Sequence, residues 1–431
     1  MRFLTDIFMN KYFIKIVPLF VIFFLSACQK EDYAQLKLDD KGVVISTPFI
    51  WKTSLHQKEP ESNSYINNPI IYNDNIVVPT TNGKDNRLIS MINTKNGEIM
   101  WHWNDLIEYE SGDKGYIDIA FHYQYQNLIT FQSGSRSYCI NLDNGKTHWK
   151  IRRDRTFDPR LDHFDQYYLS YASIDPNNSY DEQITFKGDI ATGIISEFLR
   201  ANVSHDCPDC RKGITHITQV PNQDNLILVT YGENLPDWFS QIYFGLYDTD
   251  SKEWIWDKAL LLPPTDNFST YHTPRIVNNK IYAEITNYIV CHDLTTGKQL
   301  WKEDINGNAH FASFIVEEGK VITNSEAAYA YAFDAVTGYK SWSVPTAGTC
   351  SRLSYLNGIV YFVGGSGGGR FFAIEVSSGK LLWKIDAALL GDGYGASFKT
   401  NAVYVLPAKN NEPAKVIALS HKNAYCFEAI R

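Results

Sequence analysis

A short phrase that recurs along the chain constrains its fold more than any other feature. The clearest copy is Asp293-Leu-Thr-Thr296-Gly297-Lys-Gln-Leu-Trp301, in which an acidic residue precedes a Thr-Gly pair and a Trp follows eight positions after the acidic residue. The other well-kept copies begin at Asn93, Asn141, Asp334 and Glu375. A phrase repeated with fixed internal spacing indicates a fold assembled from equivalent units.

Two further copies of the phrase are degraded. The copy at Asp189 keeps its Thr-Gly pair but has Glu197-Phe198 in place of the Trp, and the copy at Asp248 has Lys252 in place of the Gly. These two copies flank a segment that contains Cys207 and Cys210. We expect this irregular sector of the fold to carry the specificity of the protein.

The spacing of the repeats predicts the architecture. The repeat position recurs every 41 to 59 residues from Trp51 to Phe427. Each interval contains four short apolar, β-branched or aromatic segments separated by turn residues, without a stretch of helical period, and this pattern predicts strands. Four strands per unit at a period of about 40–50 residues are typical of a β-propeller. The prediction is an all-β, eight-bladed β-propeller with four antiparallel strands per blade, and seven blades are the alternative.

Each part of the phrase has a predicted structural role. The Thr/Asn-Gly pair supplies the tight turn between the third and fourth strands, where Gly adopts a positive φ at no steric cost. The Trp is expected to point from the outer strand into the seam between blades, because stacked sheets bury their faces against each other. The predicted blade-docking residues are Trp101, Trp149, Trp256, Trp301, Trp342 and Trp383.

The phrase resembles the tryptophan-docking repeat of the pyrroloquinoline-quinone-like β-propeller family, whose pattern is Ala-x-Asp-x-x-Thr-Gly-Lys-x-x-Trp. The match covers most of residues 49–430. In repeats, length and N-terminus the chain is also similar to the propeller lipoprotein of the outer-membrane β-barrel assembly machinery. The strand around Trp51 is expected to complete the ring against the last blade, whose predicted strands are Val403–Leu406, Lys415–Leu419 and Tyr425–Ala429. A fourth strand supplied by the last blade itself is the alternative, which leaves the closure of the ring open.

Quinone chemistry is an alternative that the same resemblance introduces. Quinone-dependent dehydrogenases of this superfamily are longer, and they carry a vicinal Cys pair, a calcium site and a catalytic acid. This chain has seven Cys, none of them adjacent, and no Asp-rich calcium loop. We therefore expect no quinone, no other cofactor and no metal site. Spacing alone identifies no catalytic residue.

The N-terminal 27 residues read as a cleaved lipoprotein signal peptide. Lys11 and Lys15 precede an apolar run, 16–25, that is too short to span a bilayer comfortably. The run ends in Leu25-Ser-Ala-Cys28, which resembles the lipobox of bacterial lipoproteins. The resemblance implies cleavage before Cys28 and attachment of acyl chains such as palmitate, while a plain signal peptide is the alternative. Residues 28–47 are predicted to form a polar tether and residues 48–431 the propeller.

The residues after Cys28 bear on the location of the protein. Gln29-Lys30-Glu31-Asp32 resembles the short signal that carries some Gram-negative lipoproteins to the outer face of the outer membrane. The resemblance implies a lipid-anchored protein at the cell surface. An ordinary polar tether, with the protein on the periplasmic side, is the alternative.

Cys207-Pro-Asp-Cys210 is the closest pair of cysteines in the chain. In an exported protein such a pair is a candidate disulfide within one loop. A zinc site would need further ligands, and a redox motif would need a βαβ context. A free pair of thiols, a metal site and a redox site therefore remain as alternatives to the disulfide.

Five residues are candidates for a ligand site at one rim of the propeller, where functional groups concentrate on loops. They are Arg152, Arg153, Trp238, His272 and His310. The arginines belong to a basic cluster, which a solvated loop with local ion pairs would also explain. Trp238 lies outside the repeat series, as an exposed contact or as part of a lid packed on the fold. The histidines would cluster with His216 only if all face the central channel, and a one-residue slip in register would send a side chain to the other face.

The sequence favours a binding protein over a catalyst. The net charge of -8 leaves no basic surface for nucleic acid. We interpret the chain as a lipid-anchored outer-membrane propeller that acts as a non-catalytic binding or scaffold module with a protein or glycan partner. The alternatives are an enzyme, either quinone-dependent or with another rim site, and a surface receptor for a glycan or a host protein.

Overall fold

The fold is all-β, as the repeat predicts. In a computed structural model the described residues form 34 strands and one 3₁₀ turn. No helix in the described part of the chain is long and apolar enough to cross a bilayer. The structure describes residues 35–56, 69–80, 89–106, 118–133, 136–152, 163–164, 166–173, 183–200, 211–234, 240–265, 272–307, 314–365, 369–393 and 396–430.

Eight four-stranded antiparallel sheets follow one another along the chain and form the eight predicted blades. Blade 1 contains β4 (Ile70–Tyr72), β5 (Asn75–Pro79), β6 (Ile89–Asn93) and β7 (Ile99–Trp103). Blade 2 contains β8 (Asp118–Tyr125), β9 (Leu128–Ser133), β10 (Arg136–Asn141) and β11 (Lys146–Arg152). Blade 3 contains β12 (His163–Phe164), β13 (Tyr167–Ser173), β14 (Gln183–Asp189) and β15 (Ile195–Arg200). Blade 4 contains β16 (Arg211–Gln219), β17 (Leu226–Asn234), β18 (Ser240–Asp248) and β19 (Glu253–Thr265).

The second half of the ring repeats the same arrangement. Blade 5 contains β20 (Arg275–Val277), β21 (Lys280–Ile285), β22 (Tyr288–Asp293) and β23 (Gln299–Asp304). Blade 6 contains β24 (Phe314–Glu317), β25 (Lys320–Ser325), β26 (Tyr329–Asp334) and β27 (Lys340–Pro345). Blade 7 contains β28 (Ser354–Leu356), β29 (Ile359–Gly364), β30 (Arg370–Glu375) and β31 (Leu381–Asp386), followed by the 3₁₀ turn Ala387–Leu390. Blade 8 contains β32 (Phe398–Leu406), β33 (Lys415–Ser420) and β34 (Asn423–Glu428).

The N-terminal segment closes the ring, as expected for the strand around Trp51. Strand β3 (Trp51–Ser54) pairs with β34 and supplies the fourth strand of blade 8, so that sheet contains both ends of the propeller. Before it, β1 (Lys37–Leu38) and β2 (Val44–Ser46) form a hairpin. The hairpin extends blade 7, because Val44 pairs in parallel with Trp383.

The repeated phrase forms the turn between the third and fourth strands. The Asp293 carboxylate accepts hydrogen bonds from the Thr296 backbone N–H at 2.9 Å and hydroxyl at 2.8 Å. Gly297 then adopts a φ of 69°, which lets the chain reverse direction into the fourth strand. The register shifts after the turn so that Trp301 faces Cys291 and Leu300 is bulged out, with 45% of Leu300 exposed.

The repeated Trp docks onto the turn of the following blade. Trp301 of blade 5 donates from Nε1 to the Ala335 carbonyl of blade 6 at 3.3 Å. Its ring lies on Gly338, where a Cβ would be only 2.9 Å from a ring atom. The same hydrogen bond to the next blade is made by Trp51, Trp101, Trp149, Trp256 and Trp342. The bond from Trp51 to Thr94 joins blade 8 to blade 1.

Apolar residues from facing blades fill the seams between them. Between blades 5 and 6, for example, Cys291 and Trp301 pack with Tyr331 and Phe333 in one buried cluster. Cys291 is a free thiol there, and burial raises its pKa to about 11. The core is thus a ring of interfaces around the central channel, which the first strand of each blade lines.

The degraded copies of the phrase meet in one seam. Blade 3 has Glu197 at the Trp position, and blade 4, which would receive that Trp, has Lys252 with a φ of 59° at the Gly position. Phe198, Tyr247 and Trp254 pack against the apolar cluster of this region instead. The Gly is therefore absent from the one turn of the phrase onto which no Trp packs.

Candidate functional site

Most of the site residues predicted from the sequence, including three of the five rim candidates, fall outside the part of the chain that the structure describes. Cys28, Gln29–Asp32, Arg153, Cys207, Cys210, Trp238 and His310 all lie outside the described residues. Arg152 is the last residue of β11, where it pairs with Arg136. His272 lies just before β20, the first strand of blade 5, and it marks the site that the structure reveals.

Polar residues occupy one equivalent position in the second strands of three successive blades. In each blade, the first residue of the phrase lies on the third strand and pairs with a residue of the second strand. The polar residue follows that partner by four positions, and it is Thr230 in blade 4, Glu284 in blade 5 and Asn324 in blade 6. The equivalent residues of the other blades are Pro79 in blade 1, Gln132 in blade 2, Tyr171 in blade 3, Val363 in blade 7 and Leu419 in blade 8. The architecture therefore accepts an apolar residue at this position.

All three polar side chains are buried, and each retains a polar atom without a partner. Thr230, Glu284 and Asn324 are 1%, 2% and 0% exposed. Thr230 Oγ1, Glu284 Oε2 and both polar atoms of the Asn324 amide have no hydrogen-bond partner among the described residues. An unsatisfied buried polar group costs about 1–3 kcal/mol, so three such groups in adjacent blades oppose folding.

Glu284 links blades 5 and 6. The Thr323 hydroxyl of blade 6 donates a hydrogen bond to its Oε1. Its Oε2 lies 3.9 Å from His272 Nε2, a separation too long for a hydrogen bond. Burial raises the pKa of the Glu284 carboxyl to about 8, which outweighs the lowering effect of the Thr323 bond. At neutral pH this carboxyl is therefore mostly protonated and can donate a hydrogen bond.

Two histidines lie beside two of these residues. His216 on β16 pairs with Thr230 in the register of blade 4, and burial lowers its pKa to about 4. Burial also lowers the pKa of His272 to about 3, and the positive charges of Arg352, of Arg275 and of His216 when it is protonated act in the same direction. Both imidazoles are therefore neutral at physiological pH.

Arg352, which precedes the first strand of blade 7, is one of the positive charges that lower the pKa of His272. Its charge also lowers the pKa of Tyr404 on β32 of blade 8, whose pKa burial raises overall. The Arg352 side chain is exposed and forms no salt bridge with any described residue. We call His216, Thr230, His272, Glu284, Asn324 and Arg352 the channel cluster.

The channel cluster offers hydrogen-bond donors and one cation. Within the described ranges, no group of three or more His, Cys, Asp or Glu side chains could hold a metal ion. Sequence reasoning considered His216 and His272 but missed Thr230, Glu284, Asn324 and Arg352. Aligning the second strands on the phrase could have revealed the polar position, but not the burial of its side chains.

The protonation of Glu284 predicts a loss of stability at alkaline pH. Between pH 6.5 and 8 the folded protein holds a proton on Glu284 that the unfolded chain has released, so the free energy of unfolding falls as pH rises. The expected fall is about 2 kcal/mol over this window. Below pH 6.5 the lowered pKa values of His216 and His272 act oppositely, so stability also declines towards pH 4. Urea unfolding at a series of pH values would measure both slopes.

Glu284→Gln should remove the decline between pH 6.5 and 8, because the amide does not titrate. Glu98→Gln, at an exposed position in blade 1, provides the matched control and should leave the decline unchanged. A decline that persists in the Glu284 variant would show that another group causes it.

Comparison with known proteins identifies a similar family over part of the chain. Residues 246–429 match the family model described as outer membrane protein assembly factor BamB. This segment covers blades 5 to 8 and the end of blade 4. A comparison with curated protein sequences found no significant match.

Solved structures share the architecture over most of the chain. BamB from Moraxella catarrhalis is 13% identical, with a TM-score of 0.53, and the match covers 86% of this chain and 99% of that protein. The quinohemoprotein alcohol dehydrogenase from Comamonas testosteroni is 12% identical, with a TM-score of 0.60 and coverage of 89% and 77%. Saccharomyces cerevisiae Sqt1 is 9% identical, with a TM-score of 0.55 and coverage of 88% and 98%. At such identities the structural likeness shows the fold alone, which is a β-propeller, and the likeness to the BamB family model is confined to residues 246–429.

Proposed function

We propose that this protein is a lipid-anchored outer-membrane propeller, exposed at the cell surface, that binds a protein partner as a non-catalytic scaffold. The observation that carries the proposal is the match of residues 246–429 to the family model of BamB, an outer membrane protein assembly factor. The Leu25-Ser-Ala-Cys28 sequence and the acidic tether supply the anchor and the surface address.

The use of the repeat in the fold supports a scaffold role. The regular spacing of Trp and Gly in the phrase serves contacts between neighbouring blades. A ring of eight blades presents a broad, rigid rim on which variable loops can bind a partner.

The position of the N-terminal hairpin supports a particular orientation at the membrane. Lys37 of β1 lies nine positions after Cys28, and a chain of this length spans at most about 30 Å. An acylated Cys28 would therefore hold the edge of blade 7 close to the bilayer. In a ring of eight blades, blade 3 lies opposite blade 7 and blade 4 opposite blade 8. The irregular sector would face away from the membrane, where a partner can reach it.

Protease treatment of intact cells tests the location. Surface exposure predicts digestion of the protein without lysis, at a protease concentration that leaves a periplasmic marker intact. Replacing Gln29, Lys30, Glu31 and Asp32 with Ala should protect the protein until the cells are lysed. Full protection of the unmodified protein in intact cells would refute surface exposure and favour the periplasmic face.

Crosslinking in intact cells, followed by purification of the protein, tests the scaffold role. The expected result is a protein partner recovered in defined stoichiometry. A Cys28→Ala variant, which lacks the acylation site, is the control for contacts that depend on the membrane. Recovery of a glycan, or turnover of an alcohol with a bound chromophore, would contradict the scaffold role and favour a receptor or an enzyme.

A further inference from the structure

We propose that the N-terminal hairpin places two leucines, Leu36 and Leu38, in the lipid–water interface of a bilayer and so fixes the orientation of the propeller. This contact rests on the anchor at Cys28 in the proposed function and adds a second point of attachment to it. Three observations support it: the way the hairpin is held in the ring, the exposure of the two side chains and the short chain that joins them to Cys28.

The hairpin is held against the propeller because it covers a seam that lacks a turn. In six seams, the Trp ring of one blade packs on the turn Gly of the next blade. Blade 8 has no such turn, because its third and fourth strands, β34 and β3, come from opposite ends of the chain. Trp383 of blade 7 is nevertheless only 7% exposed. Val44 of β2 pairs with Trp383, and Val44 and Phe49 pack against the buried cluster that contains this ring. The hairpin therefore has a fixed position on blade 7.

The outer strand of the hairpin carries the two leucines at the edge of the sheet. Strand β1 is the last strand of the six-stranded sheet of blade 7. Leu36 and Leu38 are 61% and 55% exposed, whereas Val43 and Ser46 of the same hairpin are buried. Residues two positions apart in an extended chain lie on one face, so the two leucines are presented together. Neither leucine belongs to the apolar cluster of this seam.

The short chain between Cys28 and the leucines identifies the partner as a lipid surface. Single exposed apolar side chains are normal on proteins, so exposure alone would name no partner. Leu36, however, follows Cys28 by only eight positions, a length of at most about 29 Å. Acyl chains on Cys28 would keep the leucines within this distance of a bilayer. Their insertion then becomes an intramolecular step, which needs little affinity of its own.

The charges of the hairpin are compatible with lipid headgroups. Lys37 and Lys41 balance Asp39 and Asp40, so the hairpin is neutral in a chain whose net charge is -8. The Asp39 carboxylate accepts hydrogen bonds from the backbone N–H groups of Lys41 and Val43 at 2.9 and 2.8 Å, and it thereby closes the hairpin turn. Lys37 stands between the leucines. Its ammonium can reach headgroup phosphates while its stem stays beside the apolar region.

The second attachment has a consequence for the exposed rim. A lipid anchor alone would leave the propeller able to rotate about one point. Insertion of Leu36 and Leu38 holds the edge of blade 7 against the bilayer, because the hairpin is fixed to that blade. Blades 3 and 4, on the opposite side of the ring, are then directed away from the lipid.

Flotation with lipid vesicles tests the contact without the anchor. The protein is the mature chain with the substitution Cys28→Ser, which cannot be acylated, and the vesicles contain phosphatidylethanolamine and phosphatidylglycerol. We expect this protein to float with the vesicles at high lipid concentration. The double variant Leu36→Ser, Leu38→Ser should lower the partition coefficient by about tenfold or more, because burial of each leucine away from water favours binding.

Two further proteins make this comparison specific. Met100 and Leu300 are 54% and 45% exposed on the outer strands of blades 1 and 5. The double variant Met100→Ser, Leu300→Ser removes two exposed apolar side chains elsewhere and should leave the partition coefficient unchanged. Leu38→Trp should raise it, because Trp favours the membrane–water interface. Urea unfolding checks that each variant keeps the stability of the parent protein.

Three results would overturn the hairpin contact. They are failure of the parent protein to float, flotation that is unchanged in the double Leu variant, and an equal loss in the Met100 and Leu300 control. If the double Leu variant instead loses a crosslinked protein partner while flotation is unchanged, the leucines bind protein and the lipid contact is wrong. Mass spectrometry of Cys28 reports on the anchor separately. An unacylated Cys28 in a protein that floats would refute the anchor alone, whereas an acylated Cys28 without flotation of the Cys28→Ser protein would refute the hairpin contact alone.

Discussion

Replacing Trp301 with Ala is expected to lower the free energy of unfolding by about 3–5 kcal/mol. Trp301 is 8% exposed, packs with Tyr282 at a ring-centroid distance of 6.0 Å and donates to the Ala335 carbonyl in the next blade. Truncation removes the ring from the seam and leaves a cavity lined by two blades. Urea unfolding followed by tryptophan fluorescence and far-ultraviolet circular dichroism would measure the change.

Leu300→Ala is the matched control for this substitution. Leu300 is the neighbouring residue of the same strand, but it is bulged outward and 45% exposed. Its truncation should change the free energy of unfolding by no more than about 0.5 kcal/mol. Equal losses in the two variants would show that the seam contact is not what stabilises this strand.

The turn glycine that receives Trp301 provides a second test of the same contact. Gly338 and Gly319 both lie in blade 6 with positive φ values, 79° and 69°. A Cβ on Gly338 would meet Trp301 at 2.9 Å, whereas a Cβ on Gly319 would meet nothing within 4 Å. Gly319→Ala therefore measures the backbone strain alone, and Gly338→Ala should cost about 1–3 kcal/mol more through overpacking.

The double variant isolates the contact between the two residues. In a protein that already carries Trp301→Ala, the Gly338→Ala substitution should cost no more than Gly319→Ala, because the ring that the Cβ would strike is absent. If Gly338→Ala costs the same with and without Trp301, backbone conformation alone explains this glycine.

Replacing Lys52 with Met is expected to lower the free energy of unfolding by about 3–5 kcal/mol. Lys52 Nζ lies 3.3 Å from Asp392 Oδ1, and the side chain of Asp392 has 0% exposure. Asn423 and Tyr425 also donate to this carboxylate. Lys52 belongs to the N-terminal strand that completes blade 8, so the substitution leaves a buried anion without its cation at the closure of the ring.

Two further variants show whether the buried charge explains this loss. Combining Lys52→Met with Asp392→Asn removes both charges and should restore part of the stability. Lys409→Met breaks an ion pair of 2.6 Å with Asp74 that also joins blades 8 and 1, but both side chains are about 60% exposed. This control should cost less than about 1 kcal/mol, because solvent screens exposed pairs. A comparable loss in Lys409→Met would contradict the importance of burial.

The strands and turns of this protein could be predicted from local sequence. Turn residues such as Asp293 and Gly297 act on the backbone within four positions, so their spacing fixes the hairpin without help from distant residues. The eight-bladed ring then follows from the eight intervals between the repeat positions from Trp51 to Phe427. The sequence left one closure open, since the last blade takes its fourth strand from residues 51–54, more than 350 positions away in the chain.

The tertiary structure explains why the phrase is degraded where it is. Glu197 and Lys252 are 55 positions apart in sequence, and nothing local relates the two changes. In the other seams that contain such a turn, the Trp ring of one blade packs on the turn Gly of the next blade. At the seam between blades 3 and 4, blade 3 has no Trp at this position, so the turn of blade 4 has no ring above it and does not need a Gly. The paired loss of the Trp and the Gly depends on the order of the blades in the ring, and local sequence propensity cannot predict it.

The channel cluster shows the same limit at the candidate site. Prediction from sequence reached His272 but also proposed Arg153, Trp238 and His310, which lie outside the described residues. The cluster combines single residues from blades 4 to 7, and its character depends on burial of Glu284 and Asn324 and on the long-range charge of Arg352. Burial and electrostatic neighbours arise only when the blades are assembled.

The sequence by itself determined the repeated unit, its four strands, the turn that Gly makes and the presence of a Trp on the outer strand. The reason is that hydrogen bonds and backbone conformations within nine residues decide these features. Only the tertiary structure decided that this Trp docks on the turn of the following blade, how the ring closes and which polar side chains are buried. These depend on contacts between residues from different blades, and their energies exist only in the closed ring.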